Sequence, residues 1–183
     1  MRNAAFAALF ATALASPALV AAASAAEQGT PPTSRTLRLG KTVYKSACSG
    51  CHKWHGDGGG GYGGAAMSLR ATHLDVEQLV EVIQCGRPGT GMPSHVRDPY
   101  KDGSCYGITK DTPDIEFPMQ ANAMLRNDEI AAVAEYVKTY LQGKGEPTFS
   151  ECAEYWGENS QNCRDFKPSH QSSVKSDPDK VSK

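Results

Sequence analysis

Apolar side chains recur with a helical period at three places along this chain. The clearest follows Asn127, where Ile130, Val133, Ala134, Val137 and Leu141 fall on one face of a helix. Asn127 is placed to cap that helix, Asp128 and Glu129 put negative charge where the dipole favours it, and Gly143 stops it. A second pattern opens with Asp75 as a cap and aligns Leu79, Val82 and Ile83 as far as Gln84. A shorter third pattern, from about Thr36 to Ala47, brings Val43, Tyr44 and Ala47 to one side. Gly40 shares the face of Tyr44, four residues on, where a missing side chain lets another helix approach. No stretch alternates with the period of a strand, and no internal repeat is present. The pattern predicts a mainly α-helical protein.

Between the helices the chain reads as loop. Residues 56–64, GDGGGGYGG, hold seven glycines. Residues 86–118 are rich in glycine, proline and aspartate and show neither period, which predicts a long ordered loop or insertion. The first 26 residues begin with Arg2, continue as an alanine-rich run from Ala4 to Ala15 and end on Ala23-Ser24-Ala25. This is the form of a cleaved export signal. Alanine is only weakly apolar and Ser16-Pro17 breaks the run, so a retained membrane anchor fits less well. The expected organisation is a signal peptide over 1–26, a flexible leader over 27–34, a main domain over 35–145, an aromatic and cysteine-bearing extension over 146–167, and a disordered tail over 168–183.

Composition sharpens this picture. The chain has 183 residues and is 39% hydrophobic, but the leading segment takes a large share of those side chains and leaves a lean core. Six cysteines are the first candidates to reinforce it. A formal charge of −1 argues against a nucleic-acid binder. No segment after the signal approaches the roughly 20 apolar residues of a membrane span.

Two of the cysteines carry chemistry. Cys48-Ser49-Gly50-Cys51-His52 is a C-x-x-C-H motif, the attachment signature of c-type haem. Two thiols at this spacing add to the vinyl groups of adjacent pyrroles, and the next residue presents an imidazole to the iron. A redox dithiol would sit near a βαβ pattern, and none is visible. A zinc site would want a second close pair, whereas Cys85, Cys105, Cys152 and Cys163 are scattered. These four allow three connectivities, and local pairing suggests Cys85–Cys105 and Cys152–Cys163.

Gly40 and Tyr44 ahead of CSGCH, the glycine-rich stretch after it, CGRPGTGMP and NDEIAAVAEYVKTYL together resemble a class I monohaem cytochrome c over about residues 35–143. The resemblance implies a cytochrome c fold: N- and C-terminal helices packed crosswise around one covalent haem c, here with long loops and a disulfide-bearing C-terminal extension. Gly40, Tyr44 and Tyr136 would form the helix crossing. It also implies a periplasmic single-electron carrier rather than an enzyme. Its partners would be redox proteins, with a periplasmic dehydrogenase such as a quinoprotein as donor and another cytochrome or a terminal oxidase as acceptor. The family often has Gly-Pro-x-Leu after the motif, where a carbonyl holds the ligand histidine. This chain has GGAAMSLR instead, so its sequence does not assign the acceptor for His52.

The sixth iron position has two methionine candidates. Met92 lies in Gly89-Thr90-Gly91-Met92-Pro93, where glycine lets the loop approach a ring and proline fixes an extended path. The segment resembles the family's G-x-M-P ligand loop. Met119, in Phe117-Pro118-Met119, is the rival because it lies nearer the last helix. Met67 and Met124 read as packing residues, and His55, His73 and His95 as surface or hydrogen-bonded histidines. An open or displaceable sixth position would instead make this a haem ligand-binding or peroxidase-like protein. Arg70, Arg87, Trp54 and Tyr62 are candidate partners of the haem propionates. Basic residues outnumber acidic ones ten to seven over 27–110, and acidic outnumber basic thirteen to eight over 111–183. A positive rim on the attachment half would steer an acidic partner.

Overall fold

The computed structural model describes residues 31–59 and 66–167. The expected export signal, the first half of the leader (27–30), Tyr62 and the expected tail lie outside these residues. Helix α1, Ser34–Val43, runs through one wide π turn, Tyr44–Cys48, into the short α2, Ser49–His52. It is followed by α3 at Val76–Cys85, α4 at Asn127–Tyr140, α5 at Phe149–Trp156 and a 3-10 turn at Gln161–Phe166. Among the described residues no strand forms, and the only β pairing is two isolated bridges, Gly59 with Ala66 and Ser94 with Gln120.

The first helix therefore does not stop near Ala47 but carries helical backbone as far as His52. Serine side chains account for the widened turn. Ser46 Oγ donates to the Thr42 and Val43 carbonyls at 3.2 and 3.1 Å, and Ser49 Oγ donates to Lys45 O at 2.9 Å. Such back-bonding competes with the backbone ladder and bends helices. Helix α3 starts as its sequence predicts: Asp75 Oδ1 accepts from Gln78 N at 2.8 Å while Gln78 Oε1 accepts from Asp75 N at 3.0 Å. The cap of α4 differs by one position. Arg126 holds the extended cap conformation and its backbone N–H donates to Glu129 Oε2 at 2.9 Å, so Asn127 is already helical. A glutamate three residues inside the helix satisfies the orphan N–H, and the asparagine side chain is not needed.

Helices α1 and α4 pack directly on one another. Tyr44, Ile130 and Val133 are fully buried at the centre, and the Tyr44 and Tyr136 rings lie 5.4 Å apart. The contact closes on Gly40. A Cβ there would run into the Ala132 carbonyl and lie 2.7 Å from Tyr136 Cβ. Alanine in a helix normally gains about 0.5–1 kcal/mol over glycine. Here the collision is with backbone, which cannot swing away, and overpacking costs about 1–3 kcal/mol. Gly40→Ala is therefore expected to lower the denaturant midpoint; a raised midpoint would mean the helices are not in this contact.

A second, smaller core sits under the long loop, where Cys85, Tyr100 and Cys105 are buried with Phe117 and Ile108 against them. The cysteines pair as Cys85–Cys105 and Cys152–Cys163. Closing loops of this size contributes on the order of 3 kcal/mol each, reinforcement that suits a lean core.

Candidate functional site

The C-x-x-C-H residues sit at the mouth of a cavity of about 420 Å³, within the ~300–1,000 Å³ usual for small-molecule sites. Its walls are apolar side chains of the main core: Tyr44, Leu79 and Ile83, with Val133 and Val137 from α4. Cys48, Cys51 and His52 line it, and so do Met92 and Pro93 from the loop after α3. Forty residues of sequence separate His52 from Met92, yet they meet on one hollow.

Burial shifts two groups of the motif, the Cys48 thiol and the His52 imidazole. Burial pushes the Cys48 thiol up to about 12, and the neighbouring Cys51 adds to this. A catalytic dithiol needs the opposite shift. His52 is lowered from the ordinary histidine value by burial, an effect the hydrogen bond to the Met67 carbonyl opposes. Its Nδ1 lies 3.1 Å from the Met67 carbonyl oxygen. A carbonyl only accepts, so Nδ1 carries the proton and Nε2 keeps the lone pair a metal requires. Met67 thus supplies the acceptor that the sequence left unassigned. No side-chain signature announces a backbone carbonyl.

The chain around Met67 is strapped in place. Gly59 N donates to Ala66 O at 3.0 Å, Leu69 N to Gly56 O at 2.7 Å and Gly58 N to His52 O at 3.2 Å. Arg70 completes the strapping, and here the expectation of a propionate partner is corrected. Its guanidinium is buried away from the cavity, donating to Gly145 O at 2.6 Å, His55 O at 3.0 Å and both Glu151 oxygens at 3.0 and 3.2 Å. Each of its three nitrogens has a protein acceptor, and α5 supplies the carboxylate among them. Trp54 is likewise turned from the cavity, packing on Tyr155 and Phe166 with ring centroids 5.9 and 5.2 Å away. Arg87 does reach the cavity, and its guanidinium lies 3.3 Å from the Met67 sulfur.

The Met92 loop is braced from behind. Arg87 N donates to Met92 O at 3.2 Å. Gly86 adopts φ +70°, and a Cβ there would lie 2.8 Å from Met92 O, so only glycine fits. Tyr100 and Tyr106 donate their hydroxyls to Cys85 O and Gly86 O at 2.8 and 2.7 Å. Met119 is placed differently. Its carbonyl accepts from Ser94 N at 2.9 Å while its side chain is 80% exposed and outside the cavity. Met67, expected to pack, is 68% exposed at the cavity rim, and Met124 is 41% exposed. His95 is buried with Nδ1 3.0 Å from Ala123 O, a hydrogen-bonded histidine as expected.

Among the described residues no group of three or more His, Cys, Asp or Glu could hold a bare metal ion. Two thiols, one imidazole and two thioethers, Met92 and the rim residue Met67, around an apolar hollow instead suit an iron that brings its own flat ring. The family model described as cytochrome c oxidase, cbb3-type, subunit III, matches residues 35–109. Residues 35–109 belong to a monohaem c-type cytochrome domain. Such a domain holds haem c covalently through the motif type found here. The match spans α1 to α3 and takes in His52 and Met92 but not Met119, while α4 beyond it supplies the helix that closes the cytochrome c fold. No curated protein and no solved structure matches the sequence.

Proposed function

We propose that this cytochrome is an exported, periplasmic single-electron carrier whose haem iron is held by His52 and Met92. The supporting observation is that Cys48, Cys51, His52 and Met92 converge on one apolar cavity. When bound, the haem supplies a one-electron iron couple, which a histidine–methionine pair places at higher potential than two nitrogen ligands. Cys48 and Cys51 tether it, His52 is held in the required tautomer by Met67 O, and Met92 offers its thioether from a braced loop. Leu79, Ile83, Val133 and Val137 exclude water from the buried part of the ring. Arg87, at the rim, offers its guanidinium to a propionate.

The ligand-binding or peroxidase-like reading has less support. Peroxide chemistry wants an acid–base group beside an open iron position. Among the described residues lining the cavity, His52 is the one imidazole and there is no carboxylate. Two disulfides and the leading segment favour an oxidising compartment. Among the described residues no helix is long and apolar enough to cross a membrane. The electron donor is a periplasmic dehydrogenase, with a quinoprotein as the working candidate, and the acceptor another cytochrome or a terminal oxidase. The matched family model, named for an oxidase subunit, agrees with the latter. Holoprotein should show a methionine–iron charge-transfer band when oxidised, no carbon monoxide shift when reduced, and a reversible one-electron wave. A five-coordinate high-spin spectrum would overturn this reading.

A further inference from the structure

The C-terminal extension has a place in the structure that the electron-carrier reading does not explain. Helix α5 lies on the side of the protein where Arg70 is buried, away from the cavity. Arg70 is 6% exposed, and every hydrogen bond it makes links a different stretch of chain. Its Nε holds Gly145 O just after α4, its Nη1 holds His55 O three residues beyond the haem histidine, and its Nη2 holds Glu151 on α5. The Arg70 carbonyl also accepts from Gly143 N at 2.9 Å. Glu151 is fixed in turn. Its carboxylate accepts from the Thr148 backbone N–H at 2.8 Å and from the Thr148 hydroxyl at 3.1 Å, closing the capping box of α5. Burial raises the Glu151 carboxyl, but the hydrogen bonds from Thr148 and Arg70 outweigh it and leave it below the usual carboxylate range. The Cys152–Cys163 disulfide begins at the next residue and ties α5 to the 3-10 turn.

Three residues before Arg70 is Met67, whose carbonyl accepts from His52 Nδ1. Arg70 therefore grips both ends of the segment that matters. Through His55 it holds the chain leaving His52, and through its own backbone it holds the chain that carries the acceptor. We infer that Arg70 and Glu151 are positioning residues for the haem histidine, so that the C-terminal extension sets the hydrogen bond on His52 Nδ1 without touching the cavity. This rests on the reading of His52 as an iron ligand. A hydrogen bond at Nδ1 raises the basicity of the coordinating nitrogen and favours the oxidised iron. An extension that tightens or loosens that bond tunes the potential of the carrier.

Removing the carboxylate leaves a buried guanidinium short of its strongest acceptor, and the Arg70 segment has to shift to hydrate it. In holoprotein carrying Glu151→Ala, the reduction potential is expected to rise. The Nδ1 proton of His52, followed by proton magnetic resonance, should exchange with solvent about tenfold faster, the size expected when one ordinary hydrogen bond is lost. The Leu69 amide, bonded to Gly56 O, should lose protection with it. Glu151→Gln keeps an acceptor and should give the same changes at smaller amplitude; it also serves if the alanine variant does not fold. A folded Glu151→Ala or Glu151→Gln protein that is less stable yet keeps the wild-type potential and Nδ1 exchange overturns the inference, because a purely structural clamp behaves that way. If wild-type holoprotein shows no iron-bound His52 at all, the failure belongs to the ligand assignment. Wild-type spectra recorded first separate the two.

Discussion

Replacing Cys48 and Cys51 together by serine should abolish covalent haem and most of the stability of the domain. Acid-acetone extraction of the denatured variant is expected to remove all haem, whereas either single serine variant should retain at most one thioether. The stability loss follows from where the cavity lies. Tyr44, Leu79, Ile83, Val133 and Val137 line it and are at the same time the centre of the main core. Without the haem these core side chains line an open hollow of about 420 Å³ and face water instead of a packed ring. A domain is held together by only about 5–15 kcal/mol, so losing that packing is a large fraction of its stability. The haem-free double variant should therefore unfold at much lower denaturant and with a shallower transition than holoprotein. Covalent haem surviving extraction would show the motif assignment to be wrong.

Met92→Ala should leave the haem attached and change what the iron sees. With His52 and both thiols intact, only the thioether is lost. The charge-transfer band should disappear, the potential should fall as water or a nitrogen group replaces sulfur, and the reduced protein should gain carbon monoxide binding. Met119→Ala should do none of this, because that side chain is 80% exposed and does not line the cavity. It should also cost far less than the about 2–5 kcal/mol of a buried methionine truncation. If the spectral loss tracks Met119 instead, the Met92 loop is only a loop. If neither change moves the spectrum, an open or differently ligated iron becomes the better reading.

What could be read from the sequence was what side-chain identity encodes. Ile130, Val133, Val137 and Leu141 recur with a helical period because they face the core, and Asp75 announces a cap, to which the structure adds Gln78 three residues on. Gly40 was legible because absence of a side chain is itself a signal for close approach. The two disulfides followed from nearness in sequence. What stayed hidden depended on backbone atoms or on distant partners. The Met67 carbonyl has no residue signature, and the familiar proline that would have marked its place is missing. Arg70 looked like a cation near the haem; only the folding of α5 onto it brings Glu151, eighty-one positions later, within bonding distance. Trp54 went the same way, claimed by Tyr155 and Phe166 of the extension. Local pattern put Met92 ahead of Met119, because its GTGMP segment resembles the family's ligand loop, and placement separates them further: Met92 lines the cavity while Met119 is 80% exposed.

The disulfide that brackets the Met92 loop bears on how the site meets foreign ligands. Cys85 and Cys105 join the two ends of the segment that contains Met92, and Tyr100 and Tyr106 fasten its base. Were Met92 the iron ligand, its thioether would stay tethered on both sides whenever it left the metal. Its effective concentration at the vacated position is then at least of millimolar order, as for any short intramolecular link. Cyanide, nitric oxide or any other small ligand must outcompete that local sulfur and not merely find an opening. Such ligands should bind at a rate set by loop excursions and independent of ligand concentration once it is high, and reducing the disulfide should raise that ceiling.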